Sequence, residues 1–387
     1  MNAPGWCAIV AVVALVGQPV QAAPVLEYAP TPAGPWQPDP EATVVDLGDG
    51  TFRVLAPAEA EARFYRLMEA GAELAHCPLY VRPAVEVGFL TADLDSDGDT
   101  VPDCDDLCPG YDDRIDENGN GIPDDCELAG MARIAGGPFE MGDTFNEGDG
   151  AERPVHTVPV STFYLDKYEV TKALWDEVRT WALAHGYGFD NVGGGAGAAH
   201  PVHTVSWYDI VKWCNARSEK EGLTPFYYTS AAQTNAYRTG QVTVANDWVN
   251  WGANGYRLST EAEWEKGARG GLPGKRHPWG DTIDASQANY GSGRATPVGS
   301  YAANGYGLYD MAGNIWEWCW DWYDSGWYGG AAASAADPRG PDSGSFRVVR
   351  GGGWDCDPIY LRCAYRAGGT PDGRYGSVGF RCARGQP

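Results

Sequence analysis

Positive charge is what this chain has least of. Its 387 residues carry 28 Lys and Arg against 52 Asp and Glu, a formal net charge of −24. That balance excludes nucleic acid as a partner, because phosphates are met by Lys and Arg. Histidine is scarce as well, with six residues scattered along the chain. His200 and His203 lie in a Pro-flanked loop without a supporting carboxylate pattern, so they read as surface or packing residues. Long apolar runs are missing. Spanning a bilayer takes about 20 apolar residues, and the run from Ala8 to Gly17 is far shorter. No G-x-S-x-G, H-E-x-x-H or phosphate-binding P-loop occurs, so those chemistries have no signature here.

Glycine and tryptophan are abundant. The chain has 52 Gly, about 13% of its residues against an average of about 7%. Sixteen Trp exclude a disordered chain and fit a loop-rich globular fold. The run Ala8–Gly17 and the small-residue step Val20-Gln21-Ala22 read as a secretory signal over residues 1–22. Such a leader places the mature protein in a secreted, periplasmic or cell-surface setting, where disulfides persist. Ten Cys less Cys7 leaves nine, an odd number that requires a free thiol or an intermolecular bridge.

Four segments follow. After the leader, residues 24–88 form a Pro-rich β module, with a hairpin expected around Asp49-Gly50 and a strand near residues 62–68. Residues 93–127 are acidic, with fourteen acids and one base, Arg114, for a charge of −13. Residues 129–384 are the large domain. Its helices are expected after Thr171, after Ser206 and after Thr260, where Thr260 and Glu263 make a capping box.

The acidic segment repeats itself. Asp95, Asp97, Asp99, Val101, Asp103 and Asp106 stand in register with Asp116, Asn118, Asn120, Ile122, Asp124 and Glu127. Oxygen side chains at alternate positions of a tight loop turn inward, and Ca²⁺ takes six to eight hard oxygens, some from backbone carbonyls. With DLCPG (Asp106–Gly110) and DDCE (Asp124–Glu127), the segment resembles thrombospondin type 3 repeats. The resemblance implies bound calcium that holds the segment together, and a Cys108–Cys126 disulfide. Cys104 and Cys77 are a further possible pair.

The large domain carries GGPFEMGD (Gly136–Asp143), FYLDKYEVT (Phe163–Thr171), PVHTVSWYDIVKWCN (Pro201–Asn215) and YRLSTEAEWEKGARGG (Tyr256–Gly271). NGYGLYDMAGNIWEWCWDWY (Asn304–Tyr323), RVVRGGGWDC (Arg347–Cys356), LRCAYR (Leu361–Arg366) and GFRCAR (Gly379–Arg384) follow. In this order they resemble the formylglycine-generating enzyme, or sulfatase-modifying factor, family, whose members convert a sulfatase cysteine to formylglycine. The resemblance implies an α+β, C-type-lectin-like and loop-rich fold. It implies calcium held by the Asp310 and Glu317 side chains and the Gly313 and Ile315 carbonyls. At the family's other calcium site, Asn289 and Tyr290 match, but the loop beyond them is short. The resemblance also implies a Cys214–Cys382 disulfide between the second helix and the last strand.

Catalysis in that family needs two thiols five residues apart, which bind Cu(I), a soft ion selected by thiolates. Cys356 occupies the first position, Leu361 the second, and Gly353 the place of the family's active-site Ser. One thiolate cannot make a two-coordinate copper site. Cys356 is then a lone nucleophile candidate, a structural thiol, or the partner of Cys363 in a disulfide. Asp355 and Asp357 flank it and are expected to raise its pKa. Cys319 is expected to be a buried, unpaired thiol. Arg347, Arg350, Arg362, Arg366 and Arg381 cluster in the same region, either for an acidic ligand or, more commonly in proteins, for buried ion pairs. The reading that follows is an exported, calcium-bound binding module for a protein or surface ligand, without copper chemistry. The rival is an oxidoreductase of the same family that uses Cys356.

Overall fold

The computed structural model describes residues 128 and 130–385, together with eight short strands between residues 11 and 81. The chain divides into two units, Met1–Glu127 and Leu128–Pro387. The calcium-loop residues, from Asp95 to Glu127, lie outside the described residues, as do Cys77, Cys104, Cys108 and Cys126.

In the first unit the strands are β1 Ala11–Ala14, β2 Val25–Ala29, β3 Gln37–Pro38, β4 Thr43–Asp46, β5 Thr51–Leu55, β6 Arg63–Glu69, β7 Ala72–Glu73 and β8 Leu79–Val81. The hairpin around Asp49-Gly50 forms, with β4 and β5 antiparallel and Thr43 opposite Leu55. β1 lies in the apolar run read as a leader and pairs with the far side of β5. β2, β6 and their neighbours make the second sheet.

The second unit is mixed helix and sheet. Its strands are β9 Met131–Ile134, β10 Gly137–Met141, β11 His156–Val160, β12 Phe163–Asp166, β13 Arg257–Leu258, β14 Trp316–Trp322, β15 Arg347–Arg350, β16 Ala367–Gly369, β17 Val378–Gly379 and β18 Cys382–Gly385. One sheet runs β13-β18-β12-β9, a second runs β16-β15-β14-β17, and β10 and β11 form a hairpin. Pairing is antiparallel except for β14 with β17, where Trp316 stands opposite Val378.

Three helices start where a side-chain oxygen can take an otherwise unpaired N–H. They are α1 Lys172–Ala184, α2 Trp207–Lys220 and α3 Glu261–Ala268. Thr171 Oγ1 accepts from Leu174 N at 3.2 Å and Ser206 Oγ from Asp209 N at 3.2 Å. At α3 the capping box closes, with Glu263 N donating to Thr260 Oγ1 at 3.2 Å and Thr260 N to Glu263 Oε2 at 2.8 Å.

α2 is the central helix, with ten of its 14 residues buried. Trp213 stacks on Trp175 of α1 at 5.7 Å, and Phe380 sets its edge against both rings. A second apolar cluster beneath α3 joins Leu165, Trp264, Met311, Cys319 and Cys363. Cys319 is buried and free, as expected of a packing thiol.

Long loops leave backbone carbonyls without ladder partners, and buried carbonyls need donors. Arginine supplies them here. Arg350 donates to the carbonyls of Ala364 at 3.0 Å and Cys363 at 2.8 Å while pairing with Glu265. Arg366 bonds Glu261 at 2.5 Å and the Asp324 carbonyl at 3.0 Å. Arg362 is bidentate to Glu152, at 2.6 and 2.9 Å. Buried ion pairs therefore account for four of the five clustered arginines. Arg347 is the exception. It lies between Trp207 and Trp322, 3.8 and 3.6 Å from their ring centres, and donates to the Trp320 carbonyl.

Candidate functional site

Cys356 lies in the loop after β15, which begins Gly351-Gly352-Gly353. Gly352 has φ +74°, and a Cβ there would lie 2.8 Å from Leu361 Cδ1 and 3.0 Å from the Tyr360 carbonyl. Glycine at this point lets Leu361 close against the loop. Cys356 N donates to the Gly353 carbonyl at 3.0 Å, and Trp354 N to the Asn314 carbonyl at 2.8 Å, so the loop is tied to the segment leading into β14.

The Cys356 thiol is partly buried. Its Sγ lies 3.6 Å from Asp355 Oδ1, and Asp355 Oδ2 accepts from Ser377 Oγ at 3.0 Å. Burial pushes the thiol pKa up; the Gly353 backbone bond opposes it, and the Asp355 charge adds to it. Asp357 is not among the largest influences on it. The sulfur is therefore held as a thiol at neutral pH, the weaker nucleophile and the weaker soft-metal ligand.

Leu361 is 1% exposed and packs with Ala288 and Ala312, with Cys356 leaning on the same cluster. Cys363 belongs elsewhere. It is buried in the cluster beneath α3, chiefly by burial its pKa is pushed up to about 12, and it is free. The Cys356–Cys363 disulfide considered from sequence is thus not formed, because the two thiols pack in different clusters. The Cys214–Cys382 pairing also needs correction. The two sulfurs meet, but at 3.9 Å and as free thiols, against about 2.05 Å for a bond. The α2-to-β18 contact is there without the covalent link.

A second constellation surrounds Asp310 and Glu317. Asp310, Gly313 and Asn314 all have positive φ, +56°, +86° and +61°, which coils this loop tightly before β14. A Cβ on Gly313 would lie 2.5 Å from the Asn289 carbonyl, so only glycine fits. Glu317 is bidentate to Arg381, at 2.7 and 2.8 Å, and accepts from Trp264 Nε1 at 2.8 Å. Asp310 Oδ2 accepts from Gly299 N at 2.7 Å. Glu169, which sequence reasoning left unassigned inside FYLDKYEVT, joins them. Its oxygens accept from Asn314 Nδ2 at 2.7 Å and Ile315 N at 3.2 Å.

All three carboxylates are buried, Glu169 and Glu317 at 1% and Asp310 at 4% exposure. Among the described residues, Arg381 pairs with Glu317 and is the cation that acts on Glu169 and Asp310. Burial and then the Asp310 and Glu317 charges hold the Glu169 pKa well above the usual carboxylate range. Burial raises Asp310 to about 6. The buried carboxylates of Asp310 and Glu317, beside a tightly coiled loop, are hard oxygen donors of the kind a divalent cation takes. Asp310, Glu317 and the Gly313 and Ile315 carbonyls would hold it. Asn289, matched to the other calcium site, instead bonds Asn314 and Arg294 through its amide. Among the described residues, no group of three or more His, Cys, Asp and Glu side chains has metal-holding geometry.

Both constellations sit on a segment that matches a known family over its whole length. The family described as "Sulfatase-modifying factor enzyme 1-like domain" fits residues 121–386. The chain belongs to that family. The formylglycine-generating enzyme of Streptomyces coelicolor is 36% identical over 297 aligned residues, covering 66% of this chain and 88% of that one. The serine/threonine-protein kinase pkn1 of Chlamydia caviae is 35% identical over 273 residues, but the match spans only 38% of its length. Among solved structures, Treponema denticola variable protein 1 superposes with a TM-score of 0.55 at 32% identity, over 66% of this chain and 95% of that one. CarF gives 0.53 at 29% identity, over 66% and 97%.

In a sulfatase-modifying factor domain the implied copper would need two thiolates at this loop. The residues present do not fit it. Leu361 offers no donor, and Cys356 is held protonated beside Asp355. Burial lowers the His203 pKa, and its Nδ1 meets Thr204 Oγ1 at 2.8 Å. Among the described residues no helix is long and apolar enough to cross a membrane.

Proposed function

We propose that this protein is an exported, calcium-holding member of the sulfatase-modifying factor family whose large domain binds a protein or surface ligand instead of oxidising cysteine. One observation carries the reading. Leu361, at the position of the second copper thiolate, is 1% exposed and packed in an apolar cluster against Cys356. On this reading the domain keeps a C-type-lectin-like fold and its calcium at Asp310 and Glu317. The acidic segment binds further calcium through its two loops, beginning at Asp95 and Asp116, as a stiff spacer. The apolar run near the N-terminus, followed by Val20-Gln21-Ala22, supports export.

The similarity to formylglycine-generating enzymes supports a second reading, an oxidoreductase that uses Cys356. A mass-spectrometric assay separates the two. Incubated with a sulfatase-derived cysteine peptide, Cu(I), O₂ and reductant, the protein should leave the peptide thiol intact. Cys356-dependent conversion to aldehyde would overturn the binding-module reading. Calorimetry on the full chain should find at least three calcium ions, one at Asp310 and two in the acidic loops. Fewer than two ions lost on neutralising the acidic loops would remove the spacer assignment.

A further inference from the structure

Lys266 belongs, with Arg347 and Arg384, to the few buried cations of the large domain that have no carboxylate ion pair among the described residues. Arg257, Arg269, Arg350, Arg362, Arg366 and Arg381 each meet a Glu carboxylate. Lys266 is 7% exposed, and its ammonium donates to the Gly137 carbonyl at 2.9 Å, with no carboxylate in ion-pair range among the described residues. An ammonium has three protons to donate, so two remain. Taking a charge out of water is costly, and burial lowers the Lys266 pKa, with the more distant Asp337 carboxylate opposing.

Lys266 also lines a cavity of about 390 Å³ at the end of α3. The other walls are mainly apolar, with Phe139 from β10, and Leu272 and Tyr306 from loops. Arg269 shares the wall, but Glu265 and the Gly142 and Lys275 carbonyls take up its guanidinium. Glu140, on the exposed side, accepts from Thr157 Oγ1. None of the cavity's walls belongs to the Cys356 loop or to the Asp310 constellation. An apolar pocket with one convergent charge is the usual form of a small-molecule site.

We propose that this cavity binds a small planar monocarboxylate, its apolar body against Phe139, Leu272 and Tyr306 and its carboxylate on Lys266 Nζ. The ammonium gains the counter-charge that every buried arginine paired with Glu already has. Glu140 at the rim disfavours a second negative charge on the ligand. The carboxylate replaces the water lost by the ammonium, so charge, not apolar area alone, sets the preference.

Isothermal titration calorimetry on the full chain tests this with naphthalene-2-carboxylate, its neutral amide and naphthalene-2,6-dicarboxylate. The monocarboxylate should bind one to one, at least tenfold tighter than either analogue. Lys266→Met should remove that tenfold preference and leave amide binding unchanged, while Lys266→Arg should keep it. Leu272→Trp, a change at a partly exposed position that narrows the cavity, should weaken both carboxylate and amide. Absence of saturable binding, equal binding of carboxylate and amide, or an unaltered preference in Lys266→Met would each overturn the proposal. If Lys266→Met fails to fold, the Lys266→Arg and Leu272→Trp results decide it. Weak carboxylate binding in Lys266→Arg, or unchanged binding in Leu272→Trp, counts against the site.

Discussion

Replacing Asp321 with Asn should stabilise the protein at neutral to alkaline pH, by an amount that grows with pH. Asp321 is 3% exposed on β14, and its Oδ2 accepts from Glu261 N at 2.7 Å at the start of α3. Burial, followed by repulsion from Glu261, raises its pKa to about 8, with Arg366 opposing. The sign follows from proton binding. The folded state holds a proton on Asp321 up to about pH 8, whereas the unfolded chain releases it near pH 4. Between those values the folded state binds more protons, so stability falls as pH rises and levels off above about 8. Four pH units at about 1.4 kcal/mol each give an upper bound of about 6 kcal/mol. Local relaxation and water entry lower such costs, so about 2–4 kcal/mol is expected at pH 8. Asn cannot ionise and keeps an oxygen for the Glu261 N–H. Urea unfolding of both proteins from pH 5 to 9, in saturating calcium, isolates this group as a difference curve. The difference should climb by at most about 1.4 kcal/mol per pH unit to about pH 8 and then flatten. A difference that does not change with pH would refute the reasoning.

Arg381→Met strips the guanidinium that, among the described residues, faces Glu317, Asp310 and Glu169, so unfolding free energy should drop by about 3–5 kcal/mol. Adding Glu317→Gln should recover part of that loss, and strict additivity in the cycle would argue against their coupling. Asp310→Ala should lower the melting temperature in saturating calcium by more than a surface change of about 0.5 kcal/mol would. An unchanged melting curve removes Asp310 from the calcium site. Thr260→Ala opens the capping box of α3, a helix buried along its whole length, and should cost about 1–2 kcal/mol by urea unfolding.

The helices were legible because their starts depend on local chemistry. Thr171, Ser206 and Thr260 each supply an oxygen to a nearby N–H, and nothing distant is needed to place them. The Asp49-Gly50 hairpin is legible for the same reason. The arginine cluster could be assigned only to ion pairs in general, since Arg362 finds Glu152 across 210 residues and Arg381 finds Glu317 across 64. Glu169 was hidden because its role comes from Asn314 and Ile315, 145 and 146 residues away. Lys266 sat in plain view in the third helix, where a lysine reads as solvated. Its burial arises from β10, whose Gly137 carbonyl lies 129 residues distant. Among the described residues, the two cysteine pairings considered failed at the level of geometry. Cys214 and Cys382 do meet, but contact at 3.9 Å is not a bond.

On the proposed reading, the same residues let this scaffold outlive one chemistry. The framework rests on Trp packing and on arginines that join distant loops through Glu and carbonyl oxygens, and none of these bonds passes through position 361. Leu361 fills its place with apolar contacts to Ala288 and Ala312, so exchanging a thiolate for it costs the fold little. Restoring a thiol there, Leu361→Cys, would bury a smaller side chain in a closed cluster and cost about 1–3 kcal/mol. The copper donors would still be poorly set, because burial and, to a lesser extent, the Asp355 charge raise the Cys356 pKa. The single exchange should therefore yield at most weak Cu(I) retention, and Asp355→Asn beside it should strengthen retention by lowering the Cys356 pKa. Competition for Cu(I) against a chromophoric chelator measures this, and a Leu361→Cys protein that holds copper tightly with Asp355 intact would refute the account of Cys356.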